Sequence, residues 1–423
     1  MQDKHSAAAP PFHGHAVVRA AFICAVLGWG MGFYGPPIFL FAVASTTQWP
    51  VPLVSAAVTT HFLFGAIVVT FLPRLHARHG VPRITLAGAF TLAAGVLGWA
   101  TARQHWQLFL AALLSGAGWV AMGAAGINAI ITPWFIRNRP AALSKAYNGA
   151  SVGGMVFAPL WSLLIARFGF QAAAWIVCLC MLATMAWLTR RVFRQTPAGL
   201  GQMPDGDAPP PPPDKATALP ASGAAAGWPA LAGRKLWRNR RFQTLAAAMS
   251  LSLFAQSGVI SHLYSVLAPQ IGTQGAGWSM TLLTTCAMLG RTLFAWALAA
   301  ASDRRLLNCA SYAMQICGSL LMLAGNGPGV QLWCGLILFG AGIGNTISLP
   351  PLIAQSDFAP ADVARVTALI IAISQALYSF APLSFSLLLK IPPGSAWLFA
   401  AAAILQALAA LVLWAGRAKR RDG

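Results

Sequence analysis

Long apolar runs constrain this chain more than any other feature. A helix needs about 20 mostly apolar residues to cross the hydrocarbon core of a bilayer. Such runs are read at 17–44, 53–73, 83–101, 107–133, 145–166 and 170–189. After a polar gap they return at 242–268, 277–300, 306–325, 330–352, 363–389 and 394–416. The pattern is six spans, a gap and six more. Only 9% of the 423 residues are charged, whereas soluble domains average about 25%. A soluble fold of this length would lack the polar surface it needs. The expected fold is an all-α membrane protein with twelve transmembrane helices in two six-helix pseudo-repeats.

The placement of charge orients the chain. The 28 Lys and Arg face eight Asp and no Glu, a formal net charge of +20. That excess would suit nucleic-acid binding if it formed one basic face. Instead it sits in short loops between apolar runs, so the expected partner is the lipid bilayer and not nucleic acid. With the N-terminus inside, twenty-four of the 28 cations fall in cytoplasmic segments. The outer loops hold only Arg103, Arg167 and Lys390, and Arg291 stays inside a span. The excess of inside cations predicts an inner-membrane, multi-pass protein with both termini cytoplasmic. The first 16 residues lack the apolar core and cleavage site of a signal peptide. The seven cysteines lie in or beside apolar spans. They are expected to be buried free thiols, with no disulfide, metal site or cofactor.

The expected organisation is a tail at 1–16, a six-helix bundle at 17–190, a linker at 191–241, a second bundle at 242–416 and a basic tail at 417–423. Residues 195–235 hold the run Pro209 to Pro213 and then Ala, Gly and Ser. Such a composition predicts a mobile tether. Its basic end, Arg234 to Arg241 with Trp237, is expected at the anionic inner leaflet. Basic turns echo each other in the two bundles, "PRLHARHGVPR" at 73–83 and "SDRRL" at 302–306.

These residues resemble the major facilitator superfamily. More narrowly, they look like its monocarboxylate-porter and oxalate/formate-antiporter branches. The superfamily's turn signature resembles G-x-L-x-D-R-x-G-x-R. Arg74, Leu75, Arg78, Gly80 and Arg83 fit it, while the Asp position is Ala77. The second copy keeps Asp303 and Arg304. The resemblance makes Arg74, Arg78, Gly80, Arg83, Asp303 and Arg304 gating residues. The segment "PWFIRNRPAALSKAYNGASVGGMVFAPL" at 133–160 resembles the monocarboxylate branch, with its aromatic pair, basic cluster and small residues. So does "GWGMGFYGPPIF" in the first span. The acid that the animal branch carries there is missing from Val26-Leu27-Gly28-Trp29. Oxalate-type carriers pair an Arg in the eighth span with a Lys in the eleventh, and the eleventh span here has no internal cation. The resemblance therefore implies a singly charged substrate before a doubly charged one.

Polar residues at membrane depth are the candidate substrate contacts. They are Tyr34, Asn128, Asn148, Gln256, Asn345, Gln375 and Tyr378. Each needs a hydrogen-bond partner in lipid, and helix-to-helix bonding competes with a substrate role. His61 and His262 are the candidates for proton coupling, since no carboxylate lies at depth. Arg291 is the sharpest clue. It lies twelve residues before Asp303, about 18 Å along a helix, so the two cannot pair. A cation at that depth costs at least about 2.5–3.5 kcal/mol. The expected function is alternating-access transport of a small organic anion, a monocarboxylate, by a monomer. Efflux of a neutral or amphipathic compound is the rival within transport. A membrane enzyme would need paired acids, a His cluster or a Ser–His pair at depth, and none is read. A transporter-like sensor would need a cytoplasmic domain that the low-complexity linker does not supply.

Overall fold

The computed structural model describes residues 12–207, 233–300, 303–325, 327–392 and 394–417, and every regular element among them is helical. In chain order the α-helices are α1 (Gly14–Gly32), α2 (Gly35–Thr47), α3 (Val51–His79), α4 (Val81–Thr101), α5 (His105–Met122), α6 (Ala124–Ile131) and α7 (Arg139–Leu188). There follow α8 (Gly233–Trp237), α9 (Arg240–Ala300), α10 (Arg304–Ala324), α11 (Val330–Asp357), α12 (Pro360–Tyr378), α13 (Ala381–Leu388) and α14 (Ser395–Ala415). Ten helical segments among the described residues are long and apolar enough to cross a membrane.

Two of the ten are each 55 residues long. A straight helix of that length would run about 80 Å, far beyond a core of about 30 Å. Each is in fact turned back by one glycine. Gly169 has φ 77° and Gly272 has φ 75°, a left-handed backbone that residues with a Cβ adopt only at a cost. These glycines fall in the gaps read between 166 and 170 and between 268 and 277.

Other spans are interrupted part-way. The first breaks at Phe33 and Tyr34, ahead of Pro36 and Pro37 at the start of α2. The fourth breaks at Gly123. The eleventh breaks at Ser379 and Phe380, ahead of Pro382. Proline cannot donate the helical N–H and clashes with the preceding turn, so a new helix starts at each pair.

Helices α1–α7 pack chiefly on one another, as do α9–α14. The two groups meet through α7 on α9, α2 on α9, and α13 and α12 on α3. The contacts joining them cluster away from the end that carries residues 194–207. Ser162 and Tyr264 share a hydrogen bond of 3.0 Å, Leu383 N donates to Thr59 Oγ1 at 3.3 Å, and Phe41 packs edge-on against Tyr264.

Part of the expected linker is not a tether. Residues 195–207 fold back onto the first group. The Asp205 carboxylate accepts three successive backbone N–H groups, from Ile136 (3.1 Å), Arg137 (2.9 Å) and Asn138 (3.1 Å). Asp205 N donates to Trp134 O at 2.9 Å, and His13 N donates to Gln202 Oε1 at 2.9 Å. Desolvation nudges the Asp205 carboxyl upward, but the three N–H bonds and the Arg137 charge outweigh it and hold the carboxyl below its ordinary range. Three successive open N–H groups thus find an acid 67 to 69 residues later in the sequence, which composition alone does not reveal. On the other side of the linker, Leu236 of α8 is fully buried with Phe242 and Leu245. The Pro209–Pro213 run lies outside the described residues.

Candidate functional site

Arg291 stands where the two groups meet. After the turn at Gly272, α9 carries Thr284 and Arg291 seven residues apart, on one face. Arg291 Nε donates to the carbonyl of Gly344 at 3.1 Å. Gly344 sits halfway along α11, so the guanidinium lies at mid-depth. A side chain at 344 would run into the carbonyl of Ala287 and press on Cβ of Arg291. The glycine is what lets the two helices close up at this level.

Tyr34 approaches from the other group. It occupies the break between α1 and α2. Its ring and the Thr284 methyl both come within 2.7 Å of where a Cβ on Gly154 would stand. Three helices, α2, α7 and α9, therefore converge on this point. Close by, Thr281 Oγ1 donates to Met155 O at 2.7 Å. Asn345, next to the acceptor of Arg291, is buried and donates to Ala341 O at 3.3 Å. Tyr34 therefore meets the helix that carries Arg291, and Asn345 follows the residue that accepts from it.

The rest of the polar set does not converge there. Gln256 is inside the second group. Its Nε2 donates to Gln315 Oε1 at 2.8 Å and to the Thr346 hydroxyl. Gln406 donates to the same Gln315 oxygen at 2.8 Å. Four helices, α9, α10, α11 and α14, are joined by this buried network. Gln256 is therefore placed as interhelical bonding, and Gln315, Gln406 and Thr346 are partners that sequence reading passed over. Their signal was present, since each is a polar residue in an apolar span. Tyr378 reaches the first group by its ring, 6.1 Å from Phe62, and Gln375 lies one turn before it. Asn128 and Asn148 are exposed on α6 and α7.

Both histidines are held by carbonyls. His61 is buried between Gly32 O and Ser115 Oγ, each at 2.8 Å from a ring nitrogen. A carbonyl only accepts, so Nε2 carries the proton, and in a neutral ring Nδ1 accepts the Ser115 hydroxyl. His262 sets Nε2 2.7 Å from Pro382 O, at the break between α12 and α13. Pro382 lies in the first turn of α13, and its carbonyl has a second lone pair for the imidazole N–H. Replacing both histidines with Gln is expected to lower thermal stability yet leave substrate exchange in proteoliposomes largely intact. Complete loss of exchange in a folded double variant would make them central to coupling.

Arg291 thus lies at mid-depth on α9, on the helix whose Thr284 meets Tyr34 of the first group at Gly154. The family profile described as Major Facilitator Superfamily matches residues 20–382. The chain belongs to the Major Facilitator Superfamily. It is a multi-pass membrane transporter and not an enzyme. A protein described as MFS transporter asaE from Aspergillus flavus is 25% identical over 181 residues, which is 43% of this chain and 39% of that protein. The chain thus matches well under half of that relative's length. A mutant of the nucleoside transporter NupG superposes with a TM-score of 0.73 at 13% identity, covering 95% of this chain and all of that one. A peptide transporter POT in complex with sulfate gives 0.68 at 15% identity, covering 95% and 94%. A bacterial homologue of the human lysosomal transporter Spinster, inward-facing and unoccupied, gives 0.64 at 14%, covering 97% and 100%. At these identities the likeness is one of fold.

In this Major Facilitator Superfamily chain the two basic turns differ in build. Gly80, with φ 82°, separates α3 from α4, and Arg74, Arg78 and Arg83 around it are exposed. In the second turn Asp303 caps α10, accepting from Arg305 N at 2.9 Å and Leu306 N at 3.1 Å. Its other oxygen accepts from Arg417 Nε at 2.7 Å. Partial burial works against its charge, but these bonds and the Arg417 cation keep the carboxyl below its usual range. Arg304 donates to Leu352 O at 2.6 Å. The buried member of this turn is Arg305, which the signature does not single out. It pairs with Asp357 at 2.8 Å and also donates to the carbonyls of Arg241 (3.0 Å) and Leu413 (3.2 Å). A half-open cavity of about 560 Å³ lies elsewhere, among Val266, Met322, Leu332 and Phe399, and takes no part in the Arg291 site.

Proposed function

We propose that this protein is a secondary-active carrier for a small organic anion, a monocarboxylate, working by alternating access. In this reading each 55-residue segment crosses twice. The chain then has twelve spans in two six-helix repeats, with both termini in the cytoplasm of a cell whose inner membrane it occupies. The observation that carries the proposal is Arg291. Among the described residues only its Nε finds a hydrogen-bond partner, a backbone carbonyl. All eight Asp lie outside the predicted spans, so no carboxylate of the chain neutralises it. The two Nη groups keep four N–H donors in a planar fork, which matches a carboxylate with two parallel bonds. A substrate anion supplies the countercharge that the protein withholds.

The join between the groups supports one state of the cycle. Ser162–Tyr264, Thr59–Leu383 and Phe41–Tyr264 hold the groups together toward the end opposite residues 194–207. With the termini cytoplasmic, that is a carrier closed to the outside. Cysteines introduced as Thr47→Cys and Ser222→Cys test the orientation with an impermeant thiol reagent in whole cells. Labelling is expected at 47 and not at 222, and the reverse pattern would overturn the orientation.

Transport itself is tested by counterflow in proteoliposomes with a panel of labelled monocarboxylates, dicarboxylates and the matching neutral amides. Monocarboxylates are expected to exchange and amides to stay out. Exchange of amides without exchange of any carboxylate would replace the anion reading with carriage of neutral compounds.

A further inference from the structure

A run of aromatic rings leads away from Arg291 along the wall of the first group. Phe33 stands beside Tyr34 with ring centroids 5.1 Å apart. Phe33 lies 6.2 Å from Trp119 of α5, and Trp119 lies 5.5 Å from Trp29 of α1. Trp29 in turn lies 6.3 Å from Tyr147 of α7. Five rings from three helices form one connected surface, and its Tyr34 end meets the Arg291 helix over Gly154.

These rings differ from the packing aromatics of the same group. Trp99, Trp161 and Phe39 are fully buried. Trp29, Phe33, Tyr34 and Tyr147 are only partly buried, with Trp119 packed beneath them. The partly exposed rings gather where α5 and α7 flank α1, and that flank leads to the junction with the second group at Tyr34. Several of the contacts are edge-to-face, at 87° for Trp29 on Trp119 and 83° for Phe33 on Tyr34. Perpendicular packing leaves ring faces and edges available to another ring, the arrangement aromatic pairs prefer. Trp29 and Tyr34 are five residues apart, about 7 Å along a helix, which is the reach of a one-ring acid.

We infer that the substrate is an aromatic monocarboxylate, held with its carboxylate on Arg291 and its ring against Trp29 and Phe33. The inference rests on the anion reading above and narrows it. Charge at one end and aromatic surface at the other select a molecule with both. An aliphatic acid of equal size satisfies the charge and the apolar area but loses the ring–ring geometry, worth about twofold to tenfold in affinity.

The test is equilibrium binding of radiolabelled phenylacetate to the purified full-length protein in detergent, with unlabelled competitors. Phenylacetate is expected to bind. Cyclohexylacetate should compete severalfold more weakly, and acetate at least about tenfold more weakly. Trp29→Leu should weaken phenylacetate severalfold while barely changing cyclohexylacetate, and Trp29→Phe should restore most of the loss. A thermal melt of each variant confirms that it is folded. Equal competition by cyclohexylacetate and phenylacetate, or an unchanged Trp29→Leu protein, would overturn the aromatic inference and leave the anion reading standing. Equal competition by phenylacetamide would overturn the anion reading while the ring surface survived. Failure of phenylacetate to bind, in a protein that binds another carboxylate, would also overturn the inference.

Discussion

Arg305→Ala is expected to destabilise the folded protein by about 3 kcal/mol. The Arg305 side chain is 5% exposed and that of its partner Asp357 is 16% exposed. Deleting the guanidinium strands a largely desolvated carboxylate and removes donors from two carbonyls and the Thr244 hydroxyl. An uncompensated buried charge costs about 3–5 kcal/mol, and the residual exposure of Asp357 favours the lower figure. Those bonds tie α9, α10, α11 and α14 together at one end, so the loss should appear as a fall of several degrees in melting temperature. The double variant Arg305→Leu with Asp357→Leu should recover most of it, because replacing both partners leaves no charge unpaired. Arg417→Ala, whose pair with Asp303 is about one-third exposed on each side, should change the melt little. Equal melts for Arg305→Ala and Arg417→Ala would show that the buried pair is not what holds these helices.

Arg291→Ala is expected to abolish anion counterflow while inserting and folding normally. The chain offers Arg291 one hydrogen bond to a carbonyl and no carboxylate, so removing it strands no charge. Charge-assisted hydrogen bonds contribute about 1.5–3 kcal/mol each. Loss of even one bond to the substrate carboxylate is thus about tenfold or more in affinity. Arg291→Lys should be impaired as well. An ammonium keeps the charge but lacks the planar fork, and it is shorter of the donors a carboxylate takes in parallel. Wild-type counterflow in Arg291→Lys would mean that charge alone suffices.

Much of this arrangement was legible in the sequence because membranes impose long periods that survive without alignment. The apolar runs fall on the helical segments long and apolar enough to cross a membrane, and Arg291 stood out as the cation farthest from the ends of its run. The gaps at 166–170 and 268–277 were readable as turns, although each proved to be a single left-handed glycine. What the sequence withheld was facing. A helix apolar on all sides carries little amphipathic signal, so Gln256 and Asn345 looked equivalent although one bonds to two other helices and the other only back to its own. The same limit hid Arg305. Arg304 and Arg305 are adjacent and alike, and only the packing of α10 against α11 and α14 turns the second inward. Asp205 was missed for a different reason. It lies in a polar stretch that read as tether, and its partners are backbone N–H groups, which no side-chain pattern marks. The superfamily was readable from the two basic turns and the small residues at 133–160, whereas the aromatic surface was not, because its rings come from three separate spans.

Equilibrium binding of a labelled monocarboxylate to purified Arg291→Ala protein, beside wild type in the same detergent, tests the anion site most directly. A carboxylate site at Arg291 requires affinity to fall at least about tenfold, with the melting temperature of the unliganded protein essentially unchanged. Wild-type affinity in the folded Arg291→Ala protein would contradict it, and the arginine would then be a structural cation held by Gly344.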